Sequence, residues 1–204
     1  SPTHYMASEK SDFSDAAWQP YSAAPSFNLS SNLTTGNETK KVYIKVKNGF
    51  AESSPPPKSD DILALAPTVT SLKINAGAAS TAIGKVTLNN VATNSPTHYM
   101  ASESPSFAGA TWQTYLAAPS FTLTTGSGSK KVYFKVKNSF TESSPAVSDD
   151  IWALAPTVTS LKINAGAAST ASGKVTLNNV ATNSPTHYMA SESAGFGGAS
   201  WQTY

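Results

Sequence analysis

Apolar and polar residues alternate along most of this chain. Leu72 and Ile74 alternate with Lys73 and Asn75, and Val86 and Leu88 with Lys85, Thr87 and Asn89. Val132, Phe134 and Val136 alternate with Tyr133, Lys135 and Lys137. Successive side chains of a strand point to opposite faces, so this period of two marks strands with one buried face. No helical period competes with it. The pattern predicts strands at 68–75, 84–91, 97–103, 111–116, 119–125, 130–138 and 147–154. Between them lie AGAASTAIG, ATNSP, SPSFAGA, TTGSGS and NSFTESSP, whose Gly, Pro, Ser and Asn read as turns or loops. The expected core is Leu72, Ile74, Val86, Leu88, Tyr99, Trp112, Phe121, Leu123, Val132, Phe134, Val136 and Ile151.

The same phrases recur. Residues 66–104 return at 155–193 with one change, Ile83 to Ser172, at an offset of 89. KKVYIKVKN at 40–48 answers KKVYFKVKN at 130–138, and SPTHYMASE opens the chain and returns at 95–103 and 184–192. The chain divides into the C-terminal part of one unit (1–65), a complete unit (66–154) and the N-terminal part of a further unit (155–204). It is expected to be a window on a longer array. The alternative is strand complementation, in which the front part of one molecule completes the back part of the next.

About seven short strands in one unit must bury their apolar faces against a second sheet, which favours an antiparallel two-sheet sandwich. The unit resembles the immunoglobulin-like and fibronectin type III-like modules found in tandem in bacterial secreted and surface proteins. The resemblance rests on YMASES with the following Phe107 and Trp112, APSFTL at 118–123, KKVYFKVKN ending on Asn138, and ESSPAVSDDI at 142–151. It covers the whole chain. It implies an all-β fold, tandem Ig-like sandwiches in a linear array, and a location outside the cell. The chain departs from that pattern in having no Cys–Trp–Cys core, and Tyr133 lies on the polar phase of its strand.

Composition narrows the function classes. The 204 residues are 39% hydrophobic and only 13% charged, with net charge +2. The scattered lysines form no stripe of the kind that binds nucleic acid. No apolar run reaches membrane-spanning length. Cysteine is absent, which removes disulfides and thiolate metal sites.

Candidate chemistry is sparse. His4, His98 and His187 share one repeat position, with no nucleophile-elbow pattern to serve a catalytic triad. TTGSGSKK at 124–131 lacks Walker spacing. No enzymatic activity and no cofactor are expected. Asp149, Asp150 and Glu142 are weak calcium candidates, because an Asp-Asp pair in a strand points to both faces. Asn28, Asn32 and Asn37 match the N-glycosylation pattern, all at or in a loop that is longer in the first unit. Phe107, Tyr99, Trp112 and Tyr115 suit a small core better than a sugar-stacking platform. At the junctions, Leu65 with Pro67 and Leu154 with Pro156 punctuate the units, and Trp152 either covers the junction or joins the core.

The reading that follows is a non-enzymatic extracellular structural or adhesive repeat protein, extended as a stalk, fibre or filament. Its expected partners are neighbouring repeats or head-to-tail copies of the same chain, with neither nucleic acid nor a membrane span in this segment. One alternative is a multivalent module binding a surface glycan or cell-surface ligand through loops 104–110 and 124–129. Another is a set of accessory repeats of a larger secreted enzyme.

Overall fold

A computed structural model describes residues 1–34 and 36–204. The chain is all-β, built from several antiparallel sheets and consistent with a β-sandwich. The first stretch carries β1 (His4–Ser8), β2 (Gln19–Pro20), β3 (Glu38–Lys47) and β4 (Lys58–Ala64), in one sheet of order β2-β1-β3-β4. The middle stretch carries β5 (Thr68–Ile74), β6 (Ser80–Thr81), β7 (Lys85–Thr93), β8 (His98–Ser102), β9 (Gln113–Thr114), β10 (Ser120–Thr122), β11 (Gly128–Lys137) and β12 (Val147–Ala153). These make two sheets, β10-β7-β5 and β6-β12-β11-β8-β9. The last stretch forms two hairpins, β13 (Thr157–Ile163) with β14 (Leu177–Thr182), and β15 (His187–Tyr188) with β16 (Gln202–Thr203).

The two middle sheets enclose the core. Val69, Leu72 and Ile74 of β5 and Val86 and Leu88 of β7 meet Val132, Phe134 and Val136 of β11 and Ile151 of β12. Leu123 closes one edge, and Tyr99 stacks on Phe134 with ring centroids 5.4 Å apart. Burying each such side chain contributes about 1.5–3 kcal/mol. A register shift between Val69 and Ser71 explains why Val69 joins Leu72 inside despite their odd spacing. The extra residue of a bulge reverses the phase of the alternation at that point.

Four details depart from the sequence expectation. Trp112 is not in the core: it lies half-buried on the opposite face of the sheet, under lysines. Met100 sits on the polar phase of β8, yet it is buried with Ser102. β6 lies inside the predicted AGAASTAIG loop and pairs in parallel with β12, the one parallel pairing among the described strands. Finally, Asn75, Ala76 and Gly77 all adopt positive φ, a left-handed turn that carries the chain out of β5. Asn75 and Asn89 fix it, their Oδ1 atoms accepting from the amides of Thr87 and Ala76 at 2.9 Å.

Candidate functional site

The junction before residue 66 is built from asparagines. Asn37 Oδ1 accepts from the Ala66 amide at 2.8 Å, and Asn94 Nδ2 donates to the Ala66 carbonyl at 2.6 Å. Asn138 Nδ2 donates to the carbonyls of Leu65 (2.9 Å) and Asn94 (3.1 Å), while its Oδ1 accepts from Phe140 and Thr141. The Asn32 amide donates to the Phe140 carbonyl at 2.8 Å. Both polar backbone groups of Ala66 are therefore satisfied by side chains, and Pro67 is fully buried. Such pairing restricts a linker far more than sequence length alone would. After the next boundary Asn183 Nδ2 repeats the Asn94 bond within its own stretch, donating to Ala155 at 2.7 Å, while Ser127 stands where Asn37 does. Asn37 and Asn32, read as glycosylation candidates, thus take part in this contact.

Of the other junction candidates, Leu65 is partly exposed, and Leu154 and Pro156 line an open cavity of about 450 Å³ with Ile83, Leu123 and the 124–127 loop. Trp152 joins neither this cavity nor the core. It stands on the exposed face of β12, where its amide donates to the Ala79 carbonyl.

The carboxylates disperse. Asp149 faces inward and its Oδ2 accepts from the Ile74 amide at 2.7 Å, tying one sheet to the other. Asp150 pairs with Lys131 at 3.6 Å on the outer face, and Glu142 with Lys135 at 2.7 Å. Among the described residues no three His, Asp or Glu side chains gather as a metal site. Each histidine Nδ1 lies 3.0 Å from the hydroxyl of the preceding threonine. In the long loop of the first stretch, the Thr34 hydroxyl and amide both donate to Glu38 at 2.6 Å and pull its carboxyl down to about 2.

The outer face of the larger middle sheet carries a feature that alternation does not reveal. The 103–112 loop folds back over β8. Phe107, at φ 55°, and Trp112 receive Lys135 and Lys137, with ammonium-to-ring distances of 4.7 to 5.2 Å. The first stretch repeats it with Phe13 (φ 56°), Trp18, Lys45 and Lys47. A left-handed phenylalanine costs roughly 1–3 kcal/mol, which stacking cations and a covered Met100 or Met6 offset. In the last stretch Phe196 (φ 55°) and Trp201 are exposed. The signal in the sequence was the spacing of Phe and Trp, fixed at five in all three copies.

A second concavity of about 370 Å³ opens between the sheet edges at β8–β9 and β10, lined by Tyr99, Phe121, Gln113 and the hydroxyl residues Thr111, Ser120 and Thr122. Burial pushes the Tyr99 phenol above its ordinary value. Burial does the same at Tyr115, partly opposed by a backbone hydrogen bond at Ala92. No nucleophile with a general base stands in either concavity.

No protein-family model matches the chain, and no curated protein matches it significantly. The class defined by the geometry is an all-β protein of antiparallel sheets, consistent with a sandwich, and no helix among the described residues is long and apolar enough to cross a membrane.

Proposed function

We propose that this chain is a non-enzymatic structural protein of the extracellular surface, a tandem array of immunoglobulin-like or fibronectin type III-like units extended as a stalk, fibre or filament. The observation that carries the reading is the asparagine-bonded junction between the first two repeats, where Asn37 reaches Ala66 and Asn138 reaches Leu65. The chain joins the middle sandwich beside Asn94 and Asn138 and leaves it beside Gly84 and Gly126, at opposite ends of β11. Ten strand residues separate those ends by about 30 Å. Each added unit then lengthens the array, and neighbouring repeats are the principal contacts. Small-angle scattering and electron microscopy test this: a straight particle with a regular repeat is expected, and a flexibly bent chain overturns it.

A second reading, multivalent binding of a surface glycan, draws on the Tyr99–Phe121 concavity and its polar rim. Glycan-array binding that is lost in Tyr99→Ala, with the fold retained, would establish it.

A further inference from the structure

Two apolar faces of this chain have no second sheet over them. One is the inner face of the β1–β4 sheet, where Ile62 is exposed and Val42, Ile44 and Val46 are partly buried. The other is the β13–β14 hairpin, with Val158, Leu161, Ile163 and Leu177. The middle stretch shows what fits each. There, β5 and β7 lie over β11 and β12; the hairpin sequence is the same, and the receiving sheet keeps Val42, Val46 and Ile62 in the places of Val132, Val136 and Ile151 while Ile44 stands for Phe134 and Lys58 for Val147. Residues 155–182 repeat 66–93 with only Ile83 changed, and Ile83 is exposed.

We propose that the 155–182 hairpin of one copy of this chain seats on the inner face of the β1–β4 sheet of a second copy, joining chains head to tail. The proposal rests on the reading of the chain as an array of matched units.

Three polar and backbone features match as well as the apolar ones. The Asp149–Ile74 bond has its counterpart positions in Asp60 and Ile163, and among the described residues Asp60 accepts from the adjacent Asp61 amide alone. β6 pairs with the edge of β12, whereas its counterpart, 169–170, forms no strand and the matching edge of β4 is open. β10 pairs with 85–87 of β7, whereas the counterparts, 26–28 and 174–176, are both outside any strand. Docking would align Phe27 with Val175, as Phe121 aligns with Val86.

The hairpin of a second copy, rather than this chain's own, fits the face because face and hairpin are tethered at opposite ends of the middle sandwich, about 30 Å apart. β1 and β2 already occupy the places that β15 and β16 would take, so residues 187–204 of the incoming chain remain outside the joined sandwich.

The test uses the full 204-residue chain with Ile62→Asp on the receiving face or Ile163→Asp on the donating one. Both side chains are more than half exposed in the single chain, so each variant should fold and keep the parent's middle-sandwich melting transition. Light scattering should show a concentration-dependent ladder for the parent and a monomer for either variant, each association weakened at least about a hundredfold. Mixing the two variants should restore a one-to-one dimer and nothing longer, since each retains one intact partner face. In the parent ladder, hydrogen exchange at 26–28 and 174–176 should slow. A parent that stays monomeric, variants that assemble like the parent, or a mixture without dimer overturns the proposal. Scattering separates the two readings: a monomer that is still straight leaves the stalk standing, whereas chains that join yet bend flexibly sink the stalk alone.

Discussion

Ile151 and Ile62 occupy one position of the repeat and have opposite surroundings. Ile151 is 1% exposed and Ile62 is 56% exposed. Ile74 and Ile163 differ in the same way, 0% against 52%. Yet the ladders agree: His4 faces Lys47 as His98 faces Lys137, and Ile44 faces Lys58 as Phe134 faces Val147. Strand pairing and register are therefore set within each sheet, by alternation and hairpin geometry. Burial is supplied by the second sheet, and only residues 66–154 contain both.

The comparison can be broken by substitution at matched positions. Phe134→Ala should cost about 3–5 kcal/mol, because the side chain is fully enclosed. Ile44→Ala, at the same repeat position in a half-covered sheet, should cost under about 1.5 kcal/mol. Urea denaturation with residue-resolved hydrogen exchange distinguishes them, and equal losses would mean that the first sheet is covered after all. Asp149→Ala strands the Ile74 amide and should cost about 1–3 kcal/mol, while Asp60→Ala should stay within about 0.5 kcal/mol. The outer faces sharpen the contrast, because there the two regions are alike. Lys135→Ala and Lys45→Ala each remove one ammonium from a Phe and a Trp ring and should each cost about 0.5–1 kcal/mol.

The smallest effect is a pH dependence. Burial raises the phenols of Tyr99 and Tyr115, so the folded middle sandwich favours their neutral forms. Their contribution is complete below the ordinary tyrosine value of 10.0 and is lost as pH climbs through the raised folded values. Melting temperature should fall above that pH in the parent and fall less in Tyr99→Phe. An identical alkaline slope in both would remove Tyr99 from the account.

Most of the fold was legible because alternation speaks directly of strands. Each of the seven strands predicted in 66–154 is present within a few residues. What alternation could not show was which face a loop would cover. Met100 is buried, and Phe107 and Trp112 meet over one Lys135 ammonium, where the 103–112 loop turns through a left-handed phenylalanine, a backbone choice that hydrophobicity does not encode. Val69 was hidden by its bulge. The asparagines of the junction were hidden by distance: Asn94 reaches Ala66 and Asn138 reaches Leu65 across 28 and 73 residues. Their recurrence at fixed repeat positions, as in Asn94 and Asn183, was the available clue. The glycan candidates lie in one copy alone, and although Asp149, Asp150 and Glu142 recur as Asp60, Asp61 and Glu52, their side chains disperse to an amide and two lysines.

The short parallel pairing of β6 with β12 has a mechanical consequence. In a stalk of the proposed kind, tension would pull from Leu65 at one end of the middle sandwich and from Ala155 at the other. β6 belongs to the leading part of the unit and β12 ends it, so the load would run along the axis of both strands. The Trp152–Ala79 and Leu154–Thr81 bonds, 3.2 and 2.8 Å long, would then bear the force side by side, in shear, rather than opening one at a time as a hairpin unzips. Two residues of strand inside a glycine- and alanine-rich loop would thereby act as a clamp between the two points where the unit is pulled.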